Sequence, residues 1–241
     1  MEKPLEINVS GTSTISRSAE RAIVTIHVTS SGPSQSDVSA NVVNTANSLQ
    51  ESLRSLSPKD SEGQSIPGAA VTYWTMAAYS TSYFSVWLDA SHRNADGSLK
   101  KETNYTASTT FTVKFADFKV LGGVCTDLAE LPYVLINGIT WELTDITKAK
   151  LVTRSRGMAV EDAVAKARDF AAAVGLFNVK AVEINSEDGG GRGFGAFGGG
   201  GPVMRSMATT LGQGKAEGDR LNFEPQECEL SCSVRIKFEA E

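Results

Sequence analysis

Apolar and polar residues alternate strictly at Leu5, Ile7 and Val9, and again at Ala22, Val24, Ile26 and Val28. A period of two puts each apolar set on one face of a strand. Gly11 interrupts the first of these runs. The spacing then changes: Val38, Val42, Ala46, Leu49, Leu53 and Leu56 recur every three or four residues, the stripe of an amphipathic helix. Ser34 stands where an N-cap is needed, Asp37 reaches back to it, and Pro58 ends the run. The other side of this helix is rich in Ser, Asn and Gln, so it is expected to lie on a sheet.

Residues 69–88 hold Tyr73, Trp74, Tyr79, Tyr83, Phe84 and Trp87 and read as two β-rich runs. Asp96-Gly97 is a turn signal. Beyond it, Tyr105, Ala107, Thr109, Phe111, Val113 and Phe115 give the cleanest alternation in the chain. Together they predict a long hairpin with one face in the core, its aromatics serving as packing residues or as the wall of a ligand groove.

Asp117 opens a second helix carrying Phe118, Leu121, Val124, Cys125, Leu128 and Leu131, and Pro132 closes it. Residues 134–143 follow as a strand with a bulge or bend at Asn137-Gly138. The third and longest helix is predicted over 147–174, its buried side marked by Val152, Ala159, Ala163, Ala167, Phe170, Ala171 and Val174. Gly175-Leu176 fits a Schellman stop. Strands at 179–184 and 230–238 complete the order. It predicts an α+β fold in which helices pack on an antiparallel sheet, as a single domain over 1–241 with a flexible glycine-rich insertion at 189–222.

Composition sharpens that picture at the insertion. Nine of the 13 residues in 189–201 are glycine, so the segment has almost no apolar surface to offset the entropy of ordering it. The letters GxGxxG at 193–198 are a by-product of that density, since glycine simply continues through Gly201 into Pro202 where a helix would have to open.

With 241 residues the chain can bury a substantial core, and its net charge of −5 leaves no basic stripe for a phosphate backbone. Nucleic acid is not an expected partner. The first residues pass straight into a strand pattern with no basic, apolar leader, and no stretch of about 18 apolar residues occurs. A cytoplasmic location without a membrane span is expected. Cys228 and Cys232 lie in one strand, roughly 13 Å apart, too far for a disulfide, so all three cysteines are expected to be reduced.

Catalytic patterns are missing: there is no HExxH, GxSxG, CxxC or P-loop, and only His27 and His92 supply imidazoles. No catalytic, cofactor-binding or metal-binding residue is assigned, and no cofactor is expected. His27 reads as a sheet-surface residue, and Asp145, Glu161 and Asp162 as surface acids. One charge pattern stands apart: Lys148, Lys150, Arg154 and Arg156 fall within nine residues, with no acid before Glu161. Repulsion at i, i+4 and an opposing helix dipole make the cluster mildly unfavourable. These four are the candidate partner-binding residues, a docking surface for an anionic partner, against the plainer reading of a solvated face.

Three stretches carry a family likeness. They are Val9-Ser10-Gly11-Thr12-Ser13 with the strand Ala22–Val28, the run Ile136-Asn137-Gly138-Ile139-Thr140-Trp141-Glu142-Leu143, and the alanine-rich helix ending Ala171-Ala172-Ala173-Val174-Gly175-Leu176. From Glu6 to Phe238 the chain resembles the SIMPL domain family, named for a signalling molecule that associates with a mouse pelle-like kinase. The resemblance implies an α+β fold and no established enzymatic activity. It also implies a loose set of roles: secreted or periplasmic bacterial members tied to envelope or oxidative stress, an intracellular mammalian signalling adaptor, and homo-oligomers among some members. The family has no agreed catalytic set, so no functional residue carries over. The glycine-rich insertion departs from its pattern, as does the expectation of a chain without an export leader.

The expected function is a non-enzymatic binding or scaffold protein, in signalling or stress response, that associates with itself or another protein. The hairpin edge at 105–115, if uncovered, and the small-residue face of the third helix are the expected contacts. The alternative is a small-molecule binding protein, or an enzyme, with an aromatic-lined pocket.

Overall fold

Two periodicities dominate the sequence, two and 3.6, and each becomes a layer. A computed structural model describes residues 4–87, 100–186 and 222–241. The elements are β1 (Leu5–Ser18), β2 (Arg21–Gly32), α1 (Gln35–Leu56), β3 (Val71–Met76), β4 (Ser80–Trp87), β5 (Lys101–Phe115), α2 (Phe118–Glu130), β6 (Val134–Glu142), α3 (Asp145–Ala173), β7 (Val179–Ser186) and β8 (Glu227–Ala240). Every strand pairing is antiparallel. They form two compact units. The turn at Asp96-Gly97 and the glycine-rich segment lie outside the described residues.

The larger unit holds a five-stranded sheet in the order β3-β5-β2-β6, with β4 also on β5. Ala22, Val24, Ile26 and Val28 of β2 and Phe111, Val113 and Phe115 of β5 are fully buried on one face. Helix α1 packs on these two strands through Val38, Val42, Ala46, Leu49 and Leu53. Each such side chain withdrawn from water contributes roughly 1.5–3 kcal/mol. Caps set the helix starts as the sequence requires. Asp37 N donates to Ser34 Oγ at 3.4 Å, and Lys119 N and Val120 N donate to Asp117 Oδ1 at 2.8 and 3.2 Å. Helix α2 lies against β6, where Phe118 meets Trp141 edge-on with ring centroids 5.0 Å apart. The expected bulge is present: register slips between Thr25 and Ile26, opposite Asn137, and Gly138 takes φ 156°.

In the smaller unit β1, β8 and β7 form a sheet under α3. Leu151, Ser155, Ala159, Ala163, Ala167 and Ala171 make its buried row. Steps of four residues turn 40° around a helix each time. A row that stays buried over five such steps follows a strongly twisted strand pair. The last turn closes as a Schellman motif, with Leu176 N donating to Ala171 O at 2.9 Å, Gly175 N to Ala172 O at 3.0 Å, and Gly175 at φ 80°.

Three expectations change. Gly11 does not end the first strand, which pairs with β8 without a break from Leu5 to Ser18. Phe170 and Val174 are 58% and 61% exposed, because the contact row of α3 is built from small residues and a serine that apolarity does not mark. Residues 105–115 are no open edge either, since β5 is covered by β2 on one side and by β3 and β4 on the other.

The reason for Gly11 is the crossing of α3. A Cβ there would fall on the Ala159 carbonyl oxygen and 2.8 Å from both Cβ and N of Ala163. Polar contacts flank the crossing. Ser13 Oγ lies 2.7 Å from Ser155 O and 2.7 Å from Ser155 Oγ, both buried. Thr12 N donates to Asp162 Oδ2 at 2.8 Å, and Lys166 Nζ donates to Asp162 Oδ2 at 2.6 Å and to Ser10 O at 3.1 Å. In its sheet β1 is an edge strand, and this pair occupies backbone groups that an edge otherwise leaves open.

The Lys166 hydrogen bond, then the Thr12 N–H, holds the Asp162 carboxyl below its ordinary value of 3.8. A lowered folded-state value means the ionised form stabilises the fold above pH 3.8 and that this contribution is lost as pH falls through the lowered value. Asp162→Asn is therefore expected to lower the urea midpoint at pH 7. The gap between the two proteins should close as pH drops below 3.8. A gap independent of pH would mean the carboxylate charge plays no part.

Candidate functional site

Where β2 stops, at Gly32 opposite Tyr105, β5 continues outward with β4 as its only partner among the described residues. From Asn104 to Lys101 the described ribbon is two strands wide. Its register sets Tyr83 opposite Tyr105, Phe84 opposite Asn104, Ser85 opposite Thr103, Val86 opposite Glu102 and Trp87 opposite Lys101. Alternation puts Tyr83 and Trp87 on one face, and Phe84 and Val86 on the other. All four are exposed, Tyr83 at 74% and Trp87 at 62%. The Lys101 ammonium sits 5.6 Å from the Trp87 ring centroid, a cation–π contact across the strands.

The expected packing role of these aromatics does not hold along this arm, whose two faces are left uncovered by the described residues. Large apolar side chains clustered in solvent mark a binding surface. Tyr and Trp suit that role, presenting rigid apolar area with a polar edge.

The four basic residues of α3 are not brought together as one patch. At 100° per residue Lys150 and Arg154 lie 40° apart, both exposed. Lys148 and Arg156 point to the other side of the helix axis. Asp145 sits in the first turn of α3, where a carboxylate complements the dipole. Glu161 is exposed, and Asp162 belongs to the β1 crossing. That pair was within reach of the sequence, since Asp162 and Lys166 stand in the favourable acid-before-base i, i+4 order.

His27 Nδ1 is 3.0 Å from Thr110 Oγ1 on the sheet face away from α1. His92 lies outside the described residues. Among the described residues no group of three or more His, Cys, Asp and Glu is arranged to hold a metal ion. None of the three thiols is joined in a disulfide among the described residues, with Cys125 and Cys228 buried and Cys232 half-buried. Burial pushes the Cys125 thiol up to about 11, which keeps it protonated and inert at neutral pH. No helix among the described residues is long and apolar enough to cross a membrane.

None of the curated proteins matches this sequence. A family model does: SIMPL, described as a protein of unknown function (DUF541), matches residues 7–238. That span takes in Gly11 and its crossing helix, the bulge at Gly138 and the Schellman stop at Gly175, and the chain belongs to the SIMPL family.

Proposed function

We propose that this chain is a non-enzymatic binding protein that associates with copies of itself through the aromatic arm of β4 and β5. The observation that carries the reading is the solvent exposure of Tyr83, Phe84, Val86 and Trp87 on both faces of a two-stranded ribbon. Such a ribbon is marginal by itself in water and gains from a covering partner. The backbone edges of the ribbon beyond Tyr105 add hydrogen-bonding capacity for an incoming strand. Light scattering over a dilution series tests the assembly. A mass above 25.6 kDa at high micromolar concentration, falling on dilution, is expected. A strict monomer throughout would contradict it.

Lys150 and Arg154 are the proposed docking point for a second, acidic protein partner. Their shared face and exposure favour this. Lys150→Glu/Arg154→Glu is expected to leave the assembled mass unchanged while abolishing retention on immobilised poly-glutamate. A change in assembled mass would make the pair part of the self-contact. The proposed compartment is the cytoplasm, where buried thiols such as Cys125 and Cys228 stay reduced. The net charge of −5 argues against nucleic acid as a partner.

A further inference from the structure

Among the described residues β1, β3, β4, β6 and β7 stand at sheet edges, and all but β4 carry a guard. On β1, Thr12 N and Ser10 O are taken by the side chains of Asp162 and Lys166. Strands β3, β6 and β7 each slip register, β3 between Val71 and Tyr73, β6 at Asn137 and β7 between Ala181 and Glu183. Such bulges twist an edge away from an incoming strand. Strand β4 has neither device. Its pairing with β5 runs from Ser80 to Trp87 without a slip, and β5 is its one partner among the described residues. Its sequence, STSYFSVW, holds no charge, proline or glycine, and every residue but Ser85 is exposed. An uncharged, exposed edge of β-forming residues pairs with another strand unless something prevents it.

The chemistry of this edge selects a second copy of the chain. Copies carrying a net charge of −5 repel one another, so self-contact is favoured where no like charges come to lie opposite each other. Strand β4 meets that condition at every register, because the arm's charges, Lys101 and Glu102, sit one strand behind the edge on β5. Pairing also converts a two-stranded ribbon, marginal in water, into a four-stranded one in the order β5-β4-β4-β5. Across a two-fold axis like faces adjoin. Tyr83 and Trp87 of one copy then continue into the same row of the other, and Phe84 and Val86 do so on the reverse face. We propose that two copies join by antiparallel pairing of their β4 strands about a two-fold axis. The proposal rests on the self-association put forward above and gives it an edge, a direction and a symmetry.

Such a pair sets one residue of β4 opposite its own copy, with Cα atoms about 4.5–5.5 Å apart and so within disulfide range. A residue two positions from the axis is already about 13 Å from its copy. Single cysteines are therefore placed in turn at each position from Ser80 to Trp87 in the full chain and oxidised mildly at high micromolar concentration. One position is expected to give a covalent dimer, with the others no higher than the parent chain. Bridging at several positions, or at none, would overturn the proposal. Amide exchange of the unmodified chain gives a second reading, since about half of the β4 N–H groups point away from β5. These are expected to exchange slowly in the assembled state and fast after dilution. Exchange there that does not depend on concentration would also overturn the pairing. A mass above 25.6 kDa alongside either contrary result would leave self-association standing and remove this edge from it, whereas a strict monomer would remove both.

Discussion

Gly11→Ala is expected to cost about 3 kcal/mol of stability, the upper end of the range for overpacking, although it adds a single methyl group. The new Cβ would meet the Ala159 carbonyl oxygen and the Ala163 backbone, neither of which can rotate away. Helix α3 would have to lift from β1, and with it the contacts of Ile7, Val9, Ala163 and Ala167, all in one core cluster. Urea unfolding should show a lower midpoint with an unchanged slope. Gly157→Ala provides the contrast in the same helix. Among the described residues nothing beyond its own helix turn lies within 4 Å of its Cβ position, so the expected effect is propensity, a gain of about 0.5–1 kcal/mol. If the two substitutions had the same sign, close approach at Gly11 would not be what holds that position to glycine.

Local rules were legible. Ser34, Asp117 and Gly175 each end a helix as their chemistry demands, and Asn137-Gly138 bulges β6 as that pair signals. Alternation at 22–28 and 105–115 identified the two strands that carry the main core. What failed to show was long-range. Gly11 and Ala159 are remote in sequence, so a glycine inside an alternating run read as a break when it marks a crossing. Ser155 and Leu151 replaced Phe170 and Val174 in the contact row because the helix follows a twisted ribbon at steps of four. The aromatic hairpin was visible as a hairpin. Whether its faces were covered depended on where β2 stops, and Gly32 gives no such sign by itself.

Tyr83→Ser/Trp87→Ser is expected to weaken self-association about a thousandfold. Aromatic anchors at an interface contribute about 2 kcal/mol each, and every 1.4 kcal/mol is a factor of ten. The same substitutions should leave folding within about 0.5 kcal/mol of the parent, because both side chains stand in solvent in the single chain. Assembly and stability therefore separate, which a general loss of structure would not allow. Sedimentation equilibrium of the two proteins at one high micromolar concentration is the direct measurement. The account predicts a multimer for the parent chain and a 25.6 kDa monomer for the double variant. Equal masses, whether both assembled or both monomeric, would contradict it.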